Sequence, residues 1–169
     1  MAWADNAPVY CISVSNITIV GATTLLAIHT AAEGMGSNIV LCRAWLGQGS
    51  TQISNQEVVA ITHYTGSTWP TLTARTPAPL LLGGDASGIV GGTSAATAGT
   101  AGIDATAEGN GTRADIWTEG FNNLNGWLWL PSEDQYIKVP PDTVVGLRFL
   151  QLPSVLTGWS FGLVYIEVN

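Results

Sequence analysis

Apolar and polar positions alternate with a period of two along most of the chain, as in β-strands that bury one face. Every second residue from Tyr10 to Val14 is apolar, and Asn38–Leu46 has the same period of two. Glu57–Tyr64 is rich in Val, Ile, Thr and Tyr, as strands are. Prolines and glycines separate these runs from four later ones, which are 126–130, 135–139, 143–150 and 159–168. With one or two further strands between Ile17 and His29, the pattern predicts about eight or nine strands.

One segment also fits a helix. Leu25, Leu26 and Ile28 in the segment Ala22–Glu33 could share one helical face. Neighbouring strands and β-branched residues favour a strand there instead. Short strands without βαβ alternation predict a single all-β domain over 1–169, a jelly-roll-like antiparallel β-sandwich. An immunoglobulin-like sandwich is the second topology, although the Cys–Trp–Cys spacing that would support it is absent.

The middle of the chain has a different composition. Residues 66–112 are mostly Gly, Ala, Thr, Ser and Pro, and this inserted segment is too long for an ordinary loop. Its low charge argues against a freely solvated tail. The sequence therefore predicts an extended arm or long loop, low in core-forming residues, that lies along the domain or over a neighbour.

The last strand has two apolar faces. Every second residue from Trp159 to Tyr165 lies on one face of the strand, and every second residue from Gly162 to Val168 lies on the other. A solvent-facing antiparallel strand has one polar side. This strand is therefore predicted to be buried on both sides, either at an oligomer contact or as a central strand covered by its own chain.

Composition favours a protein that buries part of its surface against partners. Hydrophobic residues make up 46% of the 169-residue chain and charged residues only 10%, against about 25% charged residues in typical soluble domains. The net charge is −7, and the five basic residues are scattered. We therefore expect no nucleic-acid binding, and no apolar run approaches the ~20 residues of a membrane helix.

The chain offers little for catalysis or metal binding. A hydrolase on a jelly-roll scaffold would need His29 or His63, but no Gly-x-Ser-x-Gly elbow is present. Asp104, Glu108, Asn110 and Asp115 could bind calcium through oxygens, yet they lack EF-hand spacing and fit solvated loop acids better. Cys11 and Cys42 are either a disulfide or two buried thiols. No enzyme activity, cofactor or metal is predicted.

Seven tryptophans are the most unusual feature of the composition. Tryptophan anchors protein interfaces and stacks on sugar rings, but core packing is expected for most of the seven. Trp127 and Trp129 share one face of a strand, and Trp3 and Trp69 lie outside the strands. The residues predicted to face a partner, in an oligomer or a larger assembly, are Trp3, Trp69, Trp127, Trp129, Trp159, Phe161 and Tyr165.

Seven short segments spread along the chain form a recognisable set. They are Tyr10–Ile19, Leu46–Ser50, Thr76–Pro79, Gly83–Ala86, Glu119–Asn123, Gly126–Pro131 and Gly162–Glu167. Together they resemble a family of small proteins encoded among the virion genes of tailed phages, and the resemblance covers most of the chain.

The resemblance implies a jelly-roll capsid decoration, or cement, protein. Such a subunit would form a homotrimer on the capsid exterior, contact the major capsid protein and stabilise the shell without catalysis. The segment Gln52–Tyr64 carries less charge than its counterpart in such proteins, which leaves the local partner surface open. The alternative is a carbohydrate- or receptor-binding head of a phage tail fibre, with exposed tryptophans against sugars.

Overall fold

The computed structural model describes residues 7–35, 38–50, 53–66, 69–92 and 99–168. Within these ranges the chain forms thirteen strands, one 3-10 turn at Glu133–Gln135, and no α-helix. The strands are β1 Val9–Ile17, β2 Thr24–His29, β3 Asn38–Gln48, β4 Gln56–Thr65, β5 Thr71–Ala74, β6 Ala78–Pro79, β7 Val90–Gly91, β8 Thr100–Ala107, β9 Thr112–Asn122, β10 Trp127–Trp129, β11 Ile137–Val139, β12 Val144–Phe149 and β13 Trp159–Val168.

The strands form two sheets packed as a sandwich. The first sheet has the order β10–β3–β13–β1–β6, with β11 also paired to β3. The second has the order β5–β8–β2–β12–β4–β9, with β7 also paired to β8. All pairings are antiparallel except β7 with β8. Eight strands have six or more residues, which confirms the predicted all-β sandwich of about eight strands.

The strand order is that of a jelly roll with one insertion. The connections β1–β2, β3–β4, β9–β10 and β12–β13 each cross from one sheet to the other. The first and last strands, β1 and β13, are neighbours, and β2 lies beside β12. Two interlocking Greek keys give this arrangement. The inserted strands β5 to β8 extend both sheets at their edges.

The helix considered for Ala22–Glu33 is wrong, because its centre is the buried strand β2. Leu26 and Ile28 point into the sandwich core. Ala27 points to the opposite face, where it packs with a separate small cluster. A strand buried on both faces reads as a continuous apolar run, so its sequence does not separate helix from strand.

The sandwich core is centred on β13. Trp159, Phe161 and Tyr165 are 0% exposed between the sheets. The Trp159 ring meets the Phe149 ring edge-on, with centroids 4.9 Å apart. On the other face of β13 the Trp45 ring covers Gly162, where a Cβ would lie 2.2 Å from it. The strand is therefore a central one whose inner face is buried by its own chain. Its outer face is covered at Gly162, whereas Ile166 and Val168 stay partly exposed.

Part of the inserted segment belongs to the core. β8 pairs with β2, so that Ile103 lies opposite Leu26 and Ala101 lies opposite Ile28. Ile89, Ala101 and Ile103 are buried in the main cluster. The expectation that this segment is low in core-forming residues is therefore wrong for β8 and for the turn before β7.

A buried carboxylate fixes the segment around Ser87 to the first sheet. Glu167 on β13 accepts hydrogen bonds from the Ser87 hydroxyl and from the Gly88 amide, the latter at 3.1 Å. The Ser87 hydroxyl also lies 2.7 Å from the Tyr165 hydroxyl. Burial raises the pKa of Tyr165, so this phenol stays neutral and can donate. The inserted segment is thus tied to the end of β13.

Candidate assembly surfaces

Five of the predicted interface residues fill the sandwich and do not face a partner. Trp127, Trp129, Trp159, Phe161 and Tyr165 are all buried in the main core cluster. Successive side chains of a strand point to opposite faces, and the face that carries these five rings points between the sheets. The expectation that they form an oligomer or capsid interface is corrected accordingly.

Two of the buried indoles have hydrogen-bond acceptors within the chain. The Trp159 indole donates to the Val155 carbonyl at 2.7 Å. The Trp127 indole donates to the Glu119 carboxylate at 2.9 Å. The Trp129 indole N–H is buried and has no hydrogen-bond partner among the described residues. Two of these three indole N–H groups are therefore hydrogen-bonded within the fold.

The other two predicted interface tryptophans differ in position. Trp69 is half-buried on the outer face of the second sheet, where it packs against the small cluster that includes Tyr64 and Val144. Its ring centroid lies 5.3 Å from that of His29. Trp3 lies outside the described residues. Trp69 thus covers its own sheet and presents only part of its ring to solvent.

The two histidines occupy separate environments. His29 Nε2 lies 3.1 Å from the Asp142 carboxylate, whereas His29 Nδ1 is buried and has no partner in the part of the chain that the structure describes. His63 lies on the wall of a cavity of about 130 Å³ whose lining is mostly apolar and includes Val139 and Val145. The structure does not bring the two imidazoles into one site.

The two cysteines are free thiols on the outer face of the first sheet. Cys11 pairs across β1 with Val164, and Cys42 lies on β3, the strand on the other side of β13. Two strand spacings separate their backbones by about 9.5 Å, beyond the ~7 Å that a disulfide can bridge. Burial raises the pKa of both thiols. The disulfide alternative therefore fails on geometry.

Two of the three acids considered for calcium, Glu108 and Asp115, have other partners. Asp115 forms a two-pronged ion pair with Arg148, with both Nη2–oxygen distances 3.0 Å. Glu108 accepts hydrogen bonds from the backbone and hydroxyl groups of Thr23 and Thr24, including 2.7 Å from the Thr24 amide. Among the described residues no group of three or more His, Cys, Asp and Glu is placed to hold a metal.

The Glu108 contact makes stability depend on pH. Burial acts to raise the pKa of Glu108, but the bonds from Thr24 and Thr23 outweigh it and hold the pKa below its ordinary 4.5. Its stabilisation is therefore full above the ordinary pKa and is lost as pH falls through the lowered value. We expect Glu108→Gln to cost about 1–2 kcal/mol at pH 7 and progressively less toward pH 3.

Urea unfolding of the wild type and the variant at both pH values measures this difference. Glu133→Gln, at an exposed position in the 3-10 turn, is the matched control. A Glu108→Gln deficit that stays constant between pH 7 and pH 3 would contradict the assigned role.

Four loops meet at one end of the sandwich. Because the long strands are antiparallel, the connections 18–23, 49–55 (described at 49–50 and 53–55), 123–126 and 150–158 lie at the same end. Each loop exposes at least one large apolar side chain, and the exposed fractions run from 40% to 65%. We call this surface the loop platform; its exposed apolar residues are Val20, Ile53, Leu124, Leu150, Leu152 and Leu156.

Hydrogen bonds join the loops of the platform to one another. The Ile19 amide donates to the Leu156 carbonyl at 2.8 Å, which links the first loop to the last. The Gly49 amide donates to the Gly158 carbonyl at 3.0 Å. Asn123 donates through its side chain to the Ile53 carbonyl, also at 3.0 Å. The apolar side chains therefore project from a cross-linked base.

Beneath the platform a carboxylate fixes the last loop. Glu57 on β4 is buried and accepts a hydrogen bond from the Ser154 amide at 2.9 Å, and a second from the Ser154 hydroxyl. The platform loops themselves contain no Asp, Glu, Lys or Arg, although the chain carries a net charge of −7. The acidity of the protein therefore lies elsewhere on its surface.

A second apolar projection lies at the opposite end of β1. Leu80, Leu81 and Leu82 are exposed in succession, and Leu82 reaches 96% exposure. Gly83 adopts a φ of +81°, which glycine tolerates best, and the turn closes with the Gly84 amide bonded to the Leu81 carbonyl at 3.0 Å. We call these three leucines the leucine turn.

The leucine turn is held to the first sheet. The Leu80 amide donates to the Val9 carbonyl at 2.9 Å, at the start of β1. The far end of β1, at Ile17, leads directly into the loop platform. A strand of that length spans about 26 Å. The two apolar surfaces are therefore well separated on one rigid body.

Edge strand β9 is a poor template for further pairing. It is long and mostly exposed, but its pairing with β4 shifts register between Ile61 and Thr62. It also carries Arg113 and Glu119. Charges and bulges on an edge oppose the addition of another strand. Trp117 on this strand is 39% exposed, and its ring centroid lies 6.3 Å from that of Trp129.

Comparison of the chain with protein-family models, curated proteins and solved structures gave no match. Function is therefore inferred from the geometry of the chain itself. Among the described residues, no helix has the length and apolar character needed to cross a membrane. Sequence reasoning missed both the loop platform and the leucine turn. The exposed run of three leucines was the one local signal for the second.

Proposed function

We propose that this chain is a virion structural protein, a decoration subunit that self-associates and stabilises the exterior of a capsid. A trimer in contact with the major capsid protein is the form that the resemblance implies. The observation that carries the proposal is the pair of apolar surfaces at opposite ends of one sandwich, of which the loop platform has no charged residue in its loops. A subunit that joins copies of itself and also grips a shell needs two such separate contacts.

The energetics favour covering both surfaces. Soluble monomers seldom expose contiguous apolar patches above a few hundred Å². Each half-exposed leucine on the loop platform gains about 1 kcal/mol when a partner covers it. Leu82, which is almost wholly exposed, gains about 2 kcal/mol. The sandwich needs neither surface for its own core, so these side chains fit contact with other proteins.

The rigid fold supports a role as cement. Buried glutamates bind the loop before β13 and the segment around Ser87, so both projections are fixed before any partner arrives. A preordered surface loses little conformational entropy on binding. Such a subunit can therefore transfer most of its contact energy to the shell that it decorates.

A carbohydrate-binding head remains the second candidate, and Trp117 is the observation in its favour. Its exposed ring beside Trp129 offers an aromatic surface on which a sugar can stack. A glycan array distinguishes the candidates. Specific glycan binding that disappears in Trp117→Ala would favour the head domain over the decoration subunit.

Heating of capsids tests the cement role. Undecorated DNA-filled capsids are heated with and without the purified chain, and DNA release is followed with an intercalating dye. Because a ligand that binds only the intact shell stabilises it, at 100 times the dissociation constant by about 2.7 kcal/mol per site, we expect release several degrees higher. An unrelated protein of similar acidity is the control. An unchanged release temperature at saturating chain would contradict the proposal.

A further inference from the structure

We infer that the loop platform is the surface through which copies of this chain contact one another. The inference rests on the proposed function, which requires a self-associating subunit, and it identifies the partner of this surface as a second copy. The platform loops contain none of the 17 charged residues, five basic and twelve acidic. This absence of charge favours contact between copies at the platform.

Charge decides between the possible occupants. A partner of opposite charge would be attracted best by charged loops, because complementary charges raise association rates and specificity. A second copy carries the same net charge of −7 as this chain. Like charges repel at close range, so copies approach most easily through an uncharged face. The platform fits this requirement.

The position of the platform leaves the leucine turn free. The platform occupies one end of the sandwich, and its loops are tied together by the contacts of Ile19 with Leu156 and of Gly49 with Gly158. Copies that meet at this end keep the leucine turn, about 26 Å away along β1, clear of the contact. The turn then stays free for a different partner.

The outer face of the first sheet is the alternative surface for contact between copies. Val164 and Ile166 lie there beside the two cysteines, and Arg43 and Lys138 are exposed on the same side. Two cations could attract acidic copies as well. The Arg43 guanidinium, however, already lies 5.5 Å from the centroid of the Trp45 ring. Its charge is partly engaged within the subunit, which favours the platform.

Sedimentation velocity of the purified chain tests the inference. We compare the wild type with Leu152→Asp/Leu156→Asp on the platform, Leu81→Asp/Leu82→Asp on the leucine turn, and Ile166→Asp on the sheet face. All but Ile166 are well exposed in the free subunit, and circular dichroism checks each fold. We expect an oligomer for the wild type and the leucine-turn variant, and a dissociation constant raised roughly 100-fold or more for the platform variant.

The outcomes separate the inference from the proposed function. A wild type that stays monomeric, or a platform variant of unchanged mass, overturns the inference. Dissociation caused by Ile166→Asp alone also overturns it in favour of the sheet face. A platform-dependent oligomer supports the inference even if the chain fails to stabilise capsids, which would contradict only the proposed function.

Discussion

A chain with Phe161 replaced by Asp is expected to lose its folded state. Phe161 is 0% exposed on the central strand β13, paired on one side with Val14 and on the other with Leu46. Loss of the ring alone costs about 3–5 kcal/mol, and a carboxylate buried without a partner costs several more. Together these terms approach the 5–15 kcal/mol that holds a typical domain folded.

Circular dichroism with urea unfolding measures the effect. Val168→Asp is the matched control, because it places the same charge on the same strand but on the half-exposed outer side. We expect the control to unfold cooperatively near the wild-type midpoint. A Phe161→Asp chain that keeps the wild-type transition and only dissociates would restore an interface role for this ring.

Removal of residues 83–111 is expected to abolish cooperative folding as well. The deletion takes away β8, which covers β2, and it takes Ile89, Ala101 and Ile103 from the core. Burial of each isoleucine contributes about 1.5–3 kcal/mol. The deletion also leaves the Glu167 carboxylate without its Ser87 and Gly88 donors. The combined loss again rivals the stability of a whole domain.

Point variants make the deletion interpretable. Ile103→Ala should cost about 2–5 kcal/mol, whereas Thr106→Ala, exposed on the same strand, should change little. Urea midpoints give both values. A deleted chain with a wild-type unfolding transition would show that the segment is a dispensable arm.

The strand pattern was predictable because alternation reports burial directly. It identified the sandwich and the two apolar faces of β13, but not what covers each face. The Trp45 ring over Gly162 is a contact between residues more than a hundred positions apart. Periodicity carries no information about such pairs, so tryptophans and phenylalanines of the core could be mistaken for interface residues.

Strand β8 was missed for a different reason. Its buried positions include Ala101 and Ala105, which are too small to stand out against the surrounding alanines and glycines. The alternation of Ala101, Ile103 and Ala105 was the signal that could have found it. Composition over a wide window concealed this local period.

The loop platform could not have been predicted from any one segment. Val20, Ile53, Leu124 and Leu152 each follow a different strand and are far apart in sequence. Isolated exposed leucines are ordinary on protein surfaces. Only the jelly-roll connectivity shows that all four loops share one end, and so turns scattered residues into one surface.

Co-sedimentation of the wild-type chain with undecorated capsids tests the central claim most directly. We expect the chain to pellet with the particles and to saturate at a fixed number of copies per capsid. Binding should weaken in Leu81→Asp/Leu82→Asp if the leucine turn grips the shell. A chain that remains in the supernatant at every concentration, while the particles pellet intact, would contradict the assignment as a decoration subunit.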